Sequence, residues 1–216
     1  MSSSVAASVT PVDTARRMHA TPVDADARTD ETLMRGYRDG DGHAFEALYA
    51  RHKGATYRYF LRHANGDRAT ADELHQELWL RVVRARDRYE PEARFSTWLF
   101  TLARNRLIDH WRARHGVAFA SFEDEAIVAQ AEGEAASGRE ADDEPLTASM
   151  TAERRQRLLG ALTDVPALQR DAFLLHIEGG LSLDEIAALT AATRETVKSR
   201  LRYAYRKLRA ALEDLQ

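Results

Sequence analysis

The sequence predicts an all-α protein built from two small helical domains on a flexible acidic linker. Three observations carry this. Apolar residues recur at helical spacing from about 30 to 115; two helices meet across a three-residue joint near the C-terminus; and between the two segments runs a stretch with nine acids and one base.

Residues 1–29 are rich in Ser, Thr, Ala and Asp and read as a disordered N-terminal tail. Leu33, Met34 and Tyr37 then open a first helix, which the run Asp39-Gly-Asp-Gly42 breaks. Phe45, Leu48 and Tyr49 begin a second at helical spacing. Tyr57, Phe60 and Leu61 continue it until Asn65-Gly66. From Ala71 to Arg88 a long helix is expected, with Ala71, Leu74, Leu78, Val82 and Ala85 on one stripe and Asp72, Glu73, Gln76 and Glu77 elsewhere on its surface; Pro91 stops it. The last helix or helix pair of this domain spans Phe95 to about Arg114. Phe95, Trp98, Leu99 and Leu102 line one side, whereas Leu107 and Trp111 fall on another. A basic helix bearing aromatic rings can present them to unpaired bases, and the same rings can equally be core.

Segment 116–149 carries a local charge of −8, and the rest of the chain +5. With Ala, Gly and Ser abundant and few large apolar residues, it reads as a self-repelling tether. The overall charge of −3 therefore conceals a basic protein around an acidic insert.

In the C-terminal domain, Ser182 followed three residues later by Glu185 forms a capping box that starts one helix. The joint Ala191-Ala192-Thr193 leads into a second helix, which Thr193 can cap. On this second helix Val197, Leu201, Ala204, Leu208 and Leu212 fall on one side. Arg194, Lys198, Arg202, Arg206 and Arg209 fall on an adjacent arc. Seven bases against one acid, Glu195, between 194 and 209 make an electrostatic footprint suited to a polyanion. This is the pattern of a helix-turn-helix with its recognition helix, and it points to DNA.

Composition narrows the class. A hydrophobic content of 44% in 216 residues suffices for a core in one large or two small domains. The absence of cysteine excludes disulfide scaffolds and thiolate metal sites. The first residues lack a basic, apolar leader pattern, and no stretch is apolar enough to span a membrane, so a cytoplasmic location is expected. His63, His75, His110 and His115 lack metal-ligand spacing, and no phosphate-binding Gly loop or nucleophile elbow occurs. Neither an enzyme nor a cofactor or metal site is expected.

The segments Ala71-Asp-Glu-Leu-His-Gln-Glu-Leu-Trp-Leu80 and Arg94-Phe-Ser-Thr-Trp-Leu-Phe-Thr-Leu-Ala-Arg-Asn-Arg-Leu-Ile-Asp-His-Trp111 resemble region 2 of the bacterial RNA polymerase sigma factors of the sigma-70 family. Leu162-Thr-Asp-Val-Pro166, Arg170-Asp-Ala-Phe-Leu-Leu175, Gly179-Gly-Leu-Ser182 and Thr196-Val-Lys-Ser-Arg-Leu201 resemble their region 4. Two regions on a short linker are similar to the extracytoplasmic-function group. The resemblance implies region 2 at 30–115, the linker at 116–149 and region 4 at 150–216.

The resemblance also implies roles. Asp72, Glu73, Gln76 and Glu77 would dock on a coiled coil of the polymerase β′ subunit, and region 4 would meet the β flap. Such charges steer association, although Glu77 with Arg81 can also pair within the helix. The loop Tyr89–Arg94 would accept a base flipped from the −10 element. Asn105 would lie near that base, and Arg94, Trp98, Arg104, Arg106, Arg112 and Arg114 would border or hold the melted strand, Trp98 being alternatively core. Arg194, Thr196, Lys198, Ser199 and Arg202 would read the −35 element in the major groove. Glu195 stands where the family often has a small residue; it can accept from cytosine or favour the helix N-terminus. The implied partners are core RNA polymerase, promoter DNA and an anti-sigma factor. The competing reading is a stand-alone helix-turn-helix regulator, which would bind its operator without polymerase.

Overall fold

Capping residues decide where the helices begin. In a computed structural model, which describes residues 27–115 and 152–213, the Thr29 side chain accepts from the Thr32 amide and starts α1 (Asp30–Arg38). Asp41 does the same for α2 (Gly42–His63) through the His43 and Ala44 amides. Asp67 caps α3 (Arg68–Ala85) through Ala69 and Thr70. The chain turns between α1 and α2 at Gly40, φ 99°, and between α2 and α3 at Asn65 and Gly66, φ 52° and 87°. These left-handed positions suit Gly and tolerate Asn.

Two boundaries differ from the sequence expectation. The third helix starts at Arg68 rather than Ala71, because the Asp67 cap satisfies its first amides. It leaves α-geometry at Ala85 and finishes as a 3₁₀ turn over Arg86–Arg88. The final segment of the first domain is one helix, α4 (Phe95–His115). Its first amide is held from outside, since Phe95 N–H donates to Glu31 Oε1 at 2.8 Å.

The C-terminal domain comprises α5 (Ala152–Thr163), α6 (Ala167–Ile177), α7 (Leu183–Thr190) and α8 (Arg194–Glu213). The described residues thus hold eight α-helices and no strand. Among them no helix is long and apolar enough to cross a membrane. The acidic linker and nearly all of the expected tail lie outside the described residues; the tail's last residues are ordered into α1, with Arg28 Nη1 3.0 Å from Asp41 Oδ2.

The core follows the predicted stripes except at Ala85, which is half-buried, while the Leu212 side chain lies outside the described residues. Ala71, Leu74, Leu78 and Val82 of α3 are fully buried, as are Val197, Ala204 and Leu208 of α8, with Leu201 nearly so. Each buried Leu contributes about 1.5–3 kcal/mol relative to exposure. Phe95 and Leu99 seat α4 in the first domain, while Phe100 and Tyr59, both buried, carry the core onward to the second. Gly179 marks that junction: a Cβ there would stand 2.6 Å from the Leu175 carbonyl and 3.2 Å from the Phe100 ring. The C-terminal domain is therefore packed directly against the N-terminal one.

Candidate nucleic-acid interface

The C-terminal helix pair is built for presentation. Ser182 accepts from the Glu185 amide while the Glu185 carboxylate accepts from Ser182 N–H at 2.8 Å, completing the predicted capping box. The α7–α8 joint turns at Ala191, φ 52° and ψ 34°. Thr193 Oγ1 then accepts from the Thr196 amide at 3.1 Å, which caps α8. With Val197, Leu201, Ala204 and Leu208 turned inward, Arg194, Lys198, Ser199 and Arg202 are exposed along the first three turns, and Thr196 is half-buried. Arg194 also pairs with Asp184 at 2.9 Å, which braces α8 against α7. The arc that the sequence assigned to DNA faces outward as one surface.

The residues assigned to the melted strand are not brought to one surface. Trp98, Asn105 and Arg112 lie along one stripe of α4, since they are spaced by seven residues, close to two turns, and Arg94 lies in the loop just before the helix. Asn105 and Arg112 are exposed there. Trp98 is half-buried, its ring 5.0 Å from that of Tyr89 and 5.6 Å from that of Phe95. It is a wall of the aromatic cluster that carries the loop after α3. Tyr89 itself is buried, and burial pushes its hydroxyl up to about 12. Residues 90–94 remain exposed and form the accessible part of that loop.

Arg104 and Arg106 sit on opposite flanks of the Asn105 stripe. Arg106 points into the groove between α4 and α3, is buried, and pairs with Glu77 and, at 3.5 Å, with Glu73. It braces the helices rather than facing a DNA backbone. The same pairs engage two of the four residues assigned to polymerase docking; Asp72 and Gln76 are exposed beside them. Glu77 therefore reaches across to α4 rather than along its own helix to Arg81, whose partner is Asp109 at 3.1 Å.

Arg104 points the other way, into the C-terminal domain. Its Nε lies 2.7 Å from Asp171 Oδ2, and Tyr59 donates to Asp171 Oδ1 at 2.8 Å. His63 Nε2 lies 3.4 Å from the same oxygen. The Asp171 side chain is 2% exposed. Burial alone would raise its pKa, but His63 and the Arg104 charge more than offset that and hold it at about 2. Two further carboxylates of the C-terminal domain meet the N-terminal one. Glu178, 3% exposed, pairs with Arg58 at 2.8 Å and with Arg62. Glu185 accepts from Thr97 Oγ1 and lies 3.6 Å from Arg94, which also reaches the Gly180 carbonyl at 3.4 Å. Arg170 Nη1 donates to Asn65 Oδ1 at 2.7 Å. Sequence reasoning did not single out Arg58 and Arg62; their i,i+4 spacing on α2 is the signal that could have found them.

Residues 48–116 match the family Sigma-70 region 2, and residues 155–208 match Sigma-70, region 4. The chain is 36% identical over 184 residues to the RNA polymerase sigma factor CarQ of Myxococcus xanthus, covering 85% of this chain and 97% of that one. It is 33% identical over 170 residues to the ECF RNA polymerase sigma factor SigL of Mycobacterium tuberculosis, covering 78% and 89%. Its fold is similar to that of CnrH in complex with the cytosolic domain of CnrY. There the TM-score is 0.58 at 23% identity, over 88% of this chain and 99% of that one. The helix pair with its exposed basic arc, the region 2 helices and these matches agree: the chain belongs to the sigma-70 family of RNA polymerase sigma factors, in the extracytoplasmic-function group.

Proposed function

We propose that this sigma factor binds core RNA polymerase through the α3 face and directs it to promoters with paired −10 and −35 elements. In this reading the domains run 30–115 and 150–216. The N-terminal turns of α8 enter the −35 major groove, with Arg194, Lys198, Ser199 and Arg202 at base edges and phosphates. The exposed stripe of Asn105 and Arg112, with Arg94 and the loop 90–94, takes the unpaired −10 strand. Asp72 and Gln76, with Glu73 and Glu77 beside them, meet the polymerase.

The observation that carries this reading is the outward basic arc of α8 on a capped helix pair, on the same chain as the α4 stripe. A duplex reader and a single-strand surface on one chain suit promoter opening better than operator binding alone. Similar solved structures, CnrH in complex with the cytosolic domain of CnrY and RpoE in complex with the anti-sigma factor NepR from Bartonella quintana, support an anti-sigma factor as a further partner.

The test is transcription in vitro with purified protein, bacterial core polymerase and genomic DNA of the source organism, followed by sequencing of RNA 5′ ends. Discrete starts that require the protein and share two upstream elements are expected. Operator-like binding without polymerase, and no dependent starts, would overturn it.

A further inference from the structure

Resting on the polymerase-docking reading above, we propose that His75, as a neutral ring held between Trp79 and Lys53, is the positioning residue of the docking face: it fixes the side chains of α2 and α3 from which Asp72 is presented to core polymerase.

Hydrogen-bond chemistry sets the state of the ring. Trp79 Nε1 lies 3.1 Å from His75 Nε2. An indole nitrogen can only donate, so Nε2 must be the bare, accepting nitrogen, and the single ring proton sits on Nδ1. The Lys53 carbonyl of α2 faces that proton as its acceptor. His75 thereby ties α3 to α2 and gives Trp79, only 6% exposed, an acceptor for its N–H in a nearly dry site. A second proton, on Nε2, would set two donors against each other. Burial lowers the His75 pKa from its usual 6.5, against opposing pulls from the Lys53 carbonyl and Asp72, so the ring rests neutral at neutral pH.

The surroundings carry this clamp to the docking face. Asp72 and Gln76, on either side of His75 in sequence, are both exposed. The His75 ring meets that of Tyr57 edge-on, at 5.6 Å and 88°, and the Tyr57 hydroxyl interacts with the Asp72 carboxylate. Tyr49 packs 4.9 Å from Trp79 and 6.2 Å from His75, with Lys53 Nζ 5.6 Å from the Tyr49 ring. Charged and titratable groups around His75 are therefore Lys53, Tyr49 and Tyr57 of α2 and Asp72 of α3; Arg106 and His110 of α4 act on Glu73 and Glu77 instead. A continuous chain of contacts runs from Trp79 through His75 and Tyr57 to Asp72. Without the acceptor on His75 the Trp79 N–H is stranded and Tyr57 loses the edge it rests on, so Asp72 loses its preset direction and polymerase must order it on binding.

Titration of the full-length protein with core polymerase tests the assignment. His75→Leu removes the acceptor and should weaken association by about fivefold to tenfold. Trp79→Phe removes the donor, and the double variant should bind no more weakly than the weaker single one, because both changes break one hydrogen bond. His75→Gln offers Trp79 a carbonyl and Lys53 an amide N–H without titrating, so it should recover most of the loss of the Leu variant. Between about pH 7 and about pH 5 the unsubstituted protein should lose about threefold more affinity than the Gln variant, because protonation removes the competent form. In the free protein, the indole N–H resonance absent from Trp79→Phe identifies Trp79; its shift should follow pH in the unsubstituted protein and not in the Gln variant. Circular dichroism checks folding, and if His75→Leu loses helix the pH comparison with His75→Gln decides. Unchanged affinity in a folded Leu variant, additive single losses, or a Gln variant that keeps the full fall with pH would each overturn the role of His75. Association that Asp72→Arg leaves intact at low salt would instead overturn the docking face on which it rests.

Discussion

Ala191 occupies a left-handed conformation, φ 52° and ψ 34°, at the joint between α7 and α8. Its amide bonds to the carbonyls of Ala187 and Ala188, and Ala192 N–H to that of Ala187 at 3.0 Å, so the turn is held from both sides. A Cβ in this region costs about 1–2 kcal/mol. Replacing Ala191 with Gly removes that cost but adds about 0.4–1 kcal/mol of unfolded-state entropy. The net is a stabilisation of about 0.5–1 kcal/mol, or ~1–4 °C in Tm for a chain of this size. Thermal unfolding followed by circular dichroism measures it. Asn65, also at φ 52°, supplies the comparison: Asn tolerates this region, so Asn65→Gly should gain less. DNA affinity should not move, because Ala191 lies on the joint and not on the basic arc. An unchanged or lower Tm for Ala191→Gly would refute the strain and with it the view that tertiary packing imposes this turn on an ill-suited residue.

Replacing Lys198 and Arg202 with Ala should weaken promoter-specific transcription and lower the salt dependence of DNA binding by about one unit of slope per lost phosphate contact, with polymerase binding retained; pull-down with core enzyme and binding titrations at several salt concentrations check both halves. Asp72→Arg should weaken association with core polymerase by about 0.2–1 kcal/mol, the range of an exposed ion pair, and an unchanged affinity at low salt would remove Asp72 from the docking face. Acid should destabilise the folded protein. Burial lowers the His63 pKa from 6.5, against an opposing pull from Asp171 and with help from Arg170 and Arg104, while Tyr59 packs its ring alongside. The folded state then binds fewer protons than the unfolded one. The stability it contributes is full above about pH 6.5 and is lost as pH falls toward the lowered value. His75 and His110 shift in the same direction. His63→Gln should therefore reduce, without abolishing, the drop in urea midpoint between about pH 7 and about pH 5.

The recognition unit was legible because its signals are local. A capping box, a short joint and a 3.6-residue stripe need no knowledge of the rest of the fold, and Val197, Leu201, Ala204 and Leu208 are buried as their spacing predicts. The start of α3 was misplaced by three residues because the stripe begins at Ala71, whereas the cap at Asp67 sets the first turn. The pairing of Arg106 was not legible for a different reason. Basic character on α4 suggested phosphate, yet its position about 100° from Asn105 turns it toward Glu73 and Glu77. Apart from the i,i+4 spacing of Arg58 and Arg62, the inter-domain contacts left no mark on the sequence. Asp171 stands in an ordinary helical segment, and its burial follows from a domain more than a hundred residues away in tertiary contact. A carboxylate that closes one domain on another has the same local signature as one that faces water.

Glu185 belongs to two structures at once. It completes the cap of α7 through Ser182 and accepts from Thr97 of the other domain. The first bond is internal to the C-terminal domain and the second is not, so the leading turn of the helix pair is closed without help from the other domain. Arg194 and Asp184, both within the C-terminal domain, hold the angle between its helices as well. The DNA-reading element is therefore finished within its own domain: neither its first turn nor the setting of its helices is borrowed from the neighbour it touches.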